Sequence, residues 1–368
     1  MGRAGNLGSW LAVAVLSAGA PPVARPPGLP PAAIRQIGRT VTARMLRAKI
    51  PGITVAVGVH THLAWVQSFG TADLENSVPA TPETVYRIGS ISKPITAVAV
   101  MQLAERGKLD LDAPIQQYVP SFPAKPWPIT ARQLLAHLSG IRHYRTEQET
   151  ESTQHYANLL DPLKAFASEP LQFEPGTGYS YSTYGYDLLG AAVEAASGTQ
   201  FLEYLRADVF GPAGMEHTGA DDVFRIVPHR AHGYRRTLDG RIENCALVDT
   251  SNKIPGGGLL STGGDLIQFA GALERGELVK PATRDRMFAP QITRDGRPVP
   301  YGLGWALVDL DGRRWILHPG MQQGASSCLL VSPAGGFSVA VLANLEAVDL
   351  EPLTVRIAEI LLDSGQAL

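Results

Sequence analysis

The stretch RIGSISKPITAVAVMQLAERGKLDL, residues 87–111, decides how this chain folds. Between Ile91 and Arg106 it is long, mostly apolar and unbroken after Pro94. Proline is tolerated in a first helical turn, and Gly107 stands where a left-handed C-terminal cap belongs, so the stretch predicts a buried helix over 91–106. Upstream, RQIGRTVTARMLR (35–47) predicts a helix that ends before Pro51-Gly52. ITVAVGVH (53–60) and LAWVQSFG (63–70) then predict a β-hairpin with a tight connection, and residues 71–86, punctuated by Pro79 and Pro82, read mainly as loop. Downstream, short helices are expected from Ala131 to Ser139-Gly140, over 161–169, over 184–196 before Gly198, and over 264–273. Between them, the polar segment 142–159 carries RTEQETESTQ and is the best candidate for a mobile surface loop or flap.

The C-terminal third changes character. YGLGWALVDL, RRWILH, ASSCLLVSP and FSVAVLAN are rich in β-branched and aromatic residues and read as consecutive antiparallel strands. A last helix over 351–363 carries apolar residues at helical spacing. Strands at both ends and helices between them predict an α+β fold. One antiparallel sheet is built from the N- and C-terminal strands, flanked by helices, with a mostly helical region inserted.

Composition narrows the function. The 368 residues are 45% hydrophobic, with 32 basic and 34 acidic side chains and a net charge of -2. That excludes a wholly disordered chain and argues against a large nucleic-acid footprint. A chain this long needs no disulfide or metal to hold a core. Cys245 and Cys328 are far apart and lack the spacing of a metal knuckle; one disulfide between them is conceivable, and two buried free thiols are the plainer reading. His137 and His143 are six residues apart without a third ligand, H-E-x-x-H is absent, and so is a phosphate-binding glycine loop; no metal and no cofactor are expected. Residues 1–20 have the charged start, apolar run and small-residue end of a signal peptide, implying a secreted or periplasmic protein, or a cytoplasmic one if the leader is retained. Residues 21–34 read as a proline-rich linker, and 35–366 as one folded domain without a membrane-spanning segment.

Three stretches carry chemistry. Ser90 precedes Lys93 by three positions at a helix start, so hydroxyl and amine share a face next to unpaired backbone N–H groups. A lysine held there among apolar residues and near a positive dipole end has a depressed pKa and can take the serine proton. The alternative is a capping serine with a solvated lysine. Tyr179-Ser180-Tyr181-Ser182-Thr183 precedes a helix in a loop that suits a cleft wall or plain packing. His318-Pro319-Gly320 ends a strand, where a histidine can donate into a groove and a glycine can admit a substrate, or where a histidine is simply structural.

RIGSISKPIT, KLDLDAPIQQYVPSFP, LLAHLSGIRHY, PGTGYSYSTYGYDLLG, GGGLLSTGGDL and HPGMQQGASSCLLV together resemble the serine β-lactamase and penicillin-binding family. The likeness is to its class C and DD-peptidase type, and within it to the LACTB group of serine β-lactamase-like proteins, and it extends over about 37–364. The resemblance implies Ser90 as nucleophile, Lys93 and Tyr181 as its proton-transfer partners, the backbone N–H groups of Ser90 and Met321 as oxyanion hole, and Thr183, His318 and Gly320 as substrate-binding residues. Three positions depart from the family pattern: Thr183 replaces an asparagine, Pro319 a threonine, and His318 a lysine. These changes weaken recognition of a β-lactam carboxylate and leave the nucleophile untouched. The resemblance therefore implies an acyl-enzyme hydrolase of small peptide or related amide substrates, with esters and β-lactams as alternatives. It also admits a homo-oligomeric or filament-forming protein on the same scaffold.

Overall fold

The computed structural model describes residues 28–310 and 312–365. The expected leader and most of the linker lie outside them. A seven-stranded antiparallel sheet spans the molecule. Its strands are β1 (Gly52–Val59), β2 (His62–Asp73), β3 (Val78–Pro79), β4 (Ala306–Leu310), β5 (Arg313–Gln322), β6 (Ala325–Ser332) and β7 (Phe337–Ala343), in the spatial order β3-β2-β1-β7-β6-β5-β4. The two chain ends meet at the β1–β7 pair, in the register Ile53↔Ala343 to Val59↔Phe337. This is the α+β arrangement that the sequence predicts.

Strand β1 explains how the sheet is covered. All eight of its residues are buried. Its large residues Ile53, Val55, Val57 and Val59 face one layer, formed by α1 (Pro31–Ala48) and the C-terminal helix over Glu351–Asp363. Alternate residues on the other face are small, because a helix over Gly263–Glu274 lies close there. A Cβ on Gly58 would come 2.7 Å from Ile267, and one on Gly263 would come 3.1 Å from Ala56. Helix α1 starts at Pro31, inside the stretch expected to be linker, since prolines in the first turn lack only an N–H that has no helical acceptor. Beyond the expected loop start, β2 runs on to Asp73 and pairs with β3.

The second layer continues into a helical region with α2 (Ser92–Glu105) at its centre. Residues Ser92–Leu103 of α2 are buried on every side, as expected of a helix that is apolar all round. It packs against α3 (Ala131–Leu135) by way of α4 (Thr183–Ser197). The 142–159 segment is not a free flap. The buried Arg142 guanidinium binds the carboxylates of Glu149 and Glu169, and the Asp249 and Ser251 region holds Ser152, His155 and Tyr156. Cys245 and Cys328 are both free. Among the described residues no helix is long and apolar enough to cross a membrane, and no group of three metal-ligating side chains forms.

Candidate active site

Ser90 lies in a tight 3-10 turn, Gly89–Ile91, that leads into α2. Two glycines allow this turn to press against β5. Gly89 has φ +50°, and a Cβ there would lie 2.7 Å from the Met321 backbone nitrogen. A Cβ on Gly320 would lie 2.1 Å from the Ile88 carbonyl oxygen. Gly320 therefore serves the close approach of two protein backbones, and its neighbours Pro319 and Met321 line the cavity while it does not. Ser90 and Met321 together line an open cavity of about 450 Å³, with Tyr181, Thr183, Lys253 and Gln322 among its other walls.

Lys93 is fully buried one helical turn below Ser90. Its Nζ is 2.9 Å from Ser90 Oγ, 3.0 Å from Thr183 Oγ1 and 2.7 Å from the Gly256 carbonyl oxygen. Two of these neighbours suit the two hydrogens of a neutral amine, and its lone pair is then left for the Ser90 O–H. Burial pulls the Lys93 pKa down to about 7, against the opposing pull of the Asp187 carboxyl.

Tyr181 donates its hydroxyl to Ser90 Oγ at 2.8 Å. Burial pushes the phenol well above its ordinary value, so it is a neutral donor at physiological pH. The chain around it is held by two histidines. His137 Nδ1 accepts the Ser182 N–H at 3.1 Å, and His143 Nδ1 accepts the Thr183 N–H at 3.2 Å. Ser182 caps α4 by accepting the Gly185 N–H. Both histidines must be unprotonated at Nδ1 to do this. Burial keeps both below the ordinary range, His143 at about 4.

Two expected substrate contacts are placed differently. The His318 ring is buried, and its Nε2 shares a 2.8 Å hydrogen bond with the Tyr301 hydroxyl. Burial, reinforced by Lys93, lowers its pKa to about 3. The ring does not line the cavity, so it stands away from the substrate contact expected of it. Thr183 does border the cavity, but its hydroxyl is directed at Lys93.

Sequence reasoning missed Asp187 and Lys253. Asp187 is a buried acid in the apolar helix α4, a signal that was readable, because such a group needs a reason to be there. Lys253 Nζ donates to the Thr150 carbonyl oxygen at 2.6 Å from the cavity wall, and nothing in its local sequence marks it.

The chain's likeness to known proteins agrees with this geometry. The family model described as Beta-lactamase matches residues 37–362. The mitochondrial serine beta-lactamase-like protein LACTB of Homo sapiens is 32% identical, over 84% of this chain and 76% of the human protein. Penicillin-binding protein 4* of Bacillus subtilis (strain 168) is 29% identical, over 75% of this chain and 64% of its own length. Among solved structures, the octameric penicillin-binding protein homologue from Pyrococcus abyssi superimposes with a TM-score of 0.78 at 25% identity, covering 90% of this chain and 77% of that one. These matches support a serine hydrolase of the acyl-enzyme type. The chain belongs to the Beta-lactamase family.

Proposed function

We propose that the protein hydrolyses peptide or related amide bonds through an acyl-enzyme on Ser90. The observation that carries this reading is the position of Ser90 Oγ, 2.9 Å from the Lys93 amine and 2.8 Å from the Tyr181 hydroxyl at the edge of an open cavity. Neutral Lys93 takes the Ser90 proton as Oγ attacks the carbonyl carbon. The backbone N–H groups of Ser90 and Met321 receive the oxyanion. Tyr181 gives its phenolic proton to the leaving nitrogen, and the Lys93 ammonium makes that proton good by way of the Ser90 oxygen, which lies 2.9 Å from Nζ and 2.8 Å from the phenol. Water then attacks the acyl-enzyme with Lys93 again as base.

Amide cleavage is favoured over ester cleavage because the site holds a neutral proton donor against the nucleophile. An amine leaving group needs that proton, whereas a phenolate or thiolate does not. β-Lactam turnover ranks lower, since His318 is neutral and buried and cannot supply the charge of a lysine. The test is a panel of D- and L-peptide amides, esters and β-lactams, assayed with the wild type and Ser90→Ala. Turnover of amides by the wild type alone supports the reading; turnover that survives in the variant overturns it. The octameric state of the Pyrococcus homologue suggests homo-oligomerisation here too. Sedimentation velocity on the purified chain tests this, and a monomer at all concentrations contradicts it.

A further inference from the structure

We propose that Glu346 determines specificity in the Ser90 cavity, selecting substrates that bear an ammonium group. This rests on the acyl-enzyme reading above and names the class of substrate that the same cavity takes. Lys253 and Glu346 are the lysine and the carboxylate of the cavity wall; the His143 imidazole beside them is neutral at physiological pH. Lys253 is 3% exposed and already committed. Its Nζ donates to the Thr150 carbonyl oxygen at 2.6 Å and reaches Gln322 Oε1 at 3.4 Å. Glu346 is half-buried and differs in what it leaves over. Its Oε2 accepts the Gly324 N–H at 2.8 Å, while among the described residues Oε1 has no hydrogen bond and no cation forms an ion pair with the group.

The fold holds this acid in place. Glu346 lies just beyond the end of β7, in a segment fastened from several sides. Asn344 Oδ1 accepts the Gly52 N–H at 2.7 Å, the Leu345 carbonyl oxygen accepts the Ser326 hydroxyl at 2.8 Å, and the Glu346 N–H donates to the Tyr234 carbonyl oxygen at 3.0 Å. Ala347 follows on the cavity wall at φ +56°, a left-handed conformation that a residue with a Cβ adopts only when its surroundings impose it. Gly324, which grips the carboxylate, belongs to the turn between β5 and β6, directly after the Met321–Gln323 part of the wall. The acid is thus anchored to the hairpin that carries Met321, and a fixed group loses little freedom when a ligand arrives.

The surrounding charges leave room for a cation. Arg235 is paired with Glu243 and Arg87 with Asp221, each at 2.7 Å, so neither arginine neutralises Glu346. A substrate ammonium beside Oε1 donates a charge-assisted hydrogen bond to an acceptor that has no other. Burial raises the Glu346 carboxyl above its ordinary value, and an ammonium in contact draws it back toward the ionised form. A carboxylate in the same place meets repulsion, in keeping with the low rank of β-lactams above.

The test uses the full chain and amides that differ in one end group only: ammonium, methyl or carboxylate. In one set the end group is on the acyl side, in the other on the amine side. The wild type should prefer the ammonium member by about tenfold in kcat/KM in at least one set, with the carboxylate member the poorest. Added salt should shrink that preference, a check that needs no variant. Glu346→Gln keeps an oxygen for the Gly324 N–H and removes the charge. It should abolish the preference, mostly through KM, and leave the methyl member within about twofold. A purely structural role would lower all members together, and that result overturns the proposal. So does a wild type that treats the end groups alike or prefers the carboxylate, an outcome that leaves the Ser90 hydrolase reading standing. A wild type inert toward every member, or turnover that survives in Ser90→Ala, overturns the hydrolase reading and this inference with it.

Discussion

Thr183 Oγ1 lies 3.0 Å from Lys93 Nζ, which is itself 2.9 Å from Ser90 Oγ. Together with the Gly256 carbonyl it fixes which way the lysine lone pair points. The residue that departs most visibly from the family pattern thus acts on the base, from the protein side of the cavity. Replacing Thr183 by valine should remove one hydrogen bond and slow acylation about tenfold, the equivalent of ~1.4 kcal/mol, with little change in stability. Stopped-flow acylation with an activated ester checks this, and an unchanged rate would show that Gly256 alone orients the amine.

The pH dependence of acylation follows from Lys93. In the proposed mechanism the reactive form is the neutral amine, and burial lowers the Lys93 pKa to about 7. Acylation should therefore rise tenfold per pH unit below about pH 7 and level off above it. At pH 5 it should run at about one hundredth of the plateau. A profile still climbing at pH 9 would mean that the lysine is not the base, or that its burial is lost in solution.

Tyr181→Phe separates the two proton transfers. The phenol is a neutral donor, so its removal should reduce amide hydrolysis by about 10²-fold or more. Cleavage of an ester with a phenolate leaving group should fall far less. Equal losses on both substrates would make Tyr181 part of serine activation rather than of leaving-group protonation.

His318→Leu is expected to act on stability. It leaves the buried Tyr301 hydroxyl without its partner, a cost of about 1–3 kcal/mol. KM for a neutral amide should stay within about twofold, because the ring does not reach the cavity. Denaturant unfolding alongside steady-state kinetics checks both parts, and a large rise in KM without lost stability would restore His318 to the substrate wall.

Acid should destabilise the protein through the partly buried His143 and the buried His318. His143 and His318 have folded-state values of about 4 and 3, both below the ordinary 6.5. The unfolded chain takes up protons first as pH falls, so stability is full above about pH 6.5 and is lost on the way down. At pH 5 each contributes a loss of about 2 kcal/mol. A melting temperature that stays constant between pH 7 and pH 5 would contradict this burial.

Much of this was legible in the sequence, for physical reasons. The sheet could be read because β1, β6 and β7 are runs of branched residues between turns, and α2 because an apolar run after Pro94 has few other fates. The pairing of Ser90 with Lys93 is local, three positions apart where a 3-10 turn runs into α2. The partners from far along the chain were harder. Tyr181 came through the family likeness, but the inward turn of His318 toward Tyr301 depends on packing of strand β5 against the segment that precedes β4. Gly320 showed that space was needed without saying what fills it. His137 and His143 looked like failed metal ligands, whereas they accept backbone N–H groups that sequence alone does not bring near.

The most direct test of the central claim is the intact mass of the protein after exposure to a fluorophosphonate or an acylating amide analogue. The adduct is expected as a single addition, located on Ser90 by peptide mapping, absent in Ser90→Ala and forming at least about 10²-fold more slowly in Lys93→Ala. An adduct on another residue, or one that still forms in Ser90→Ala, would contradict the account.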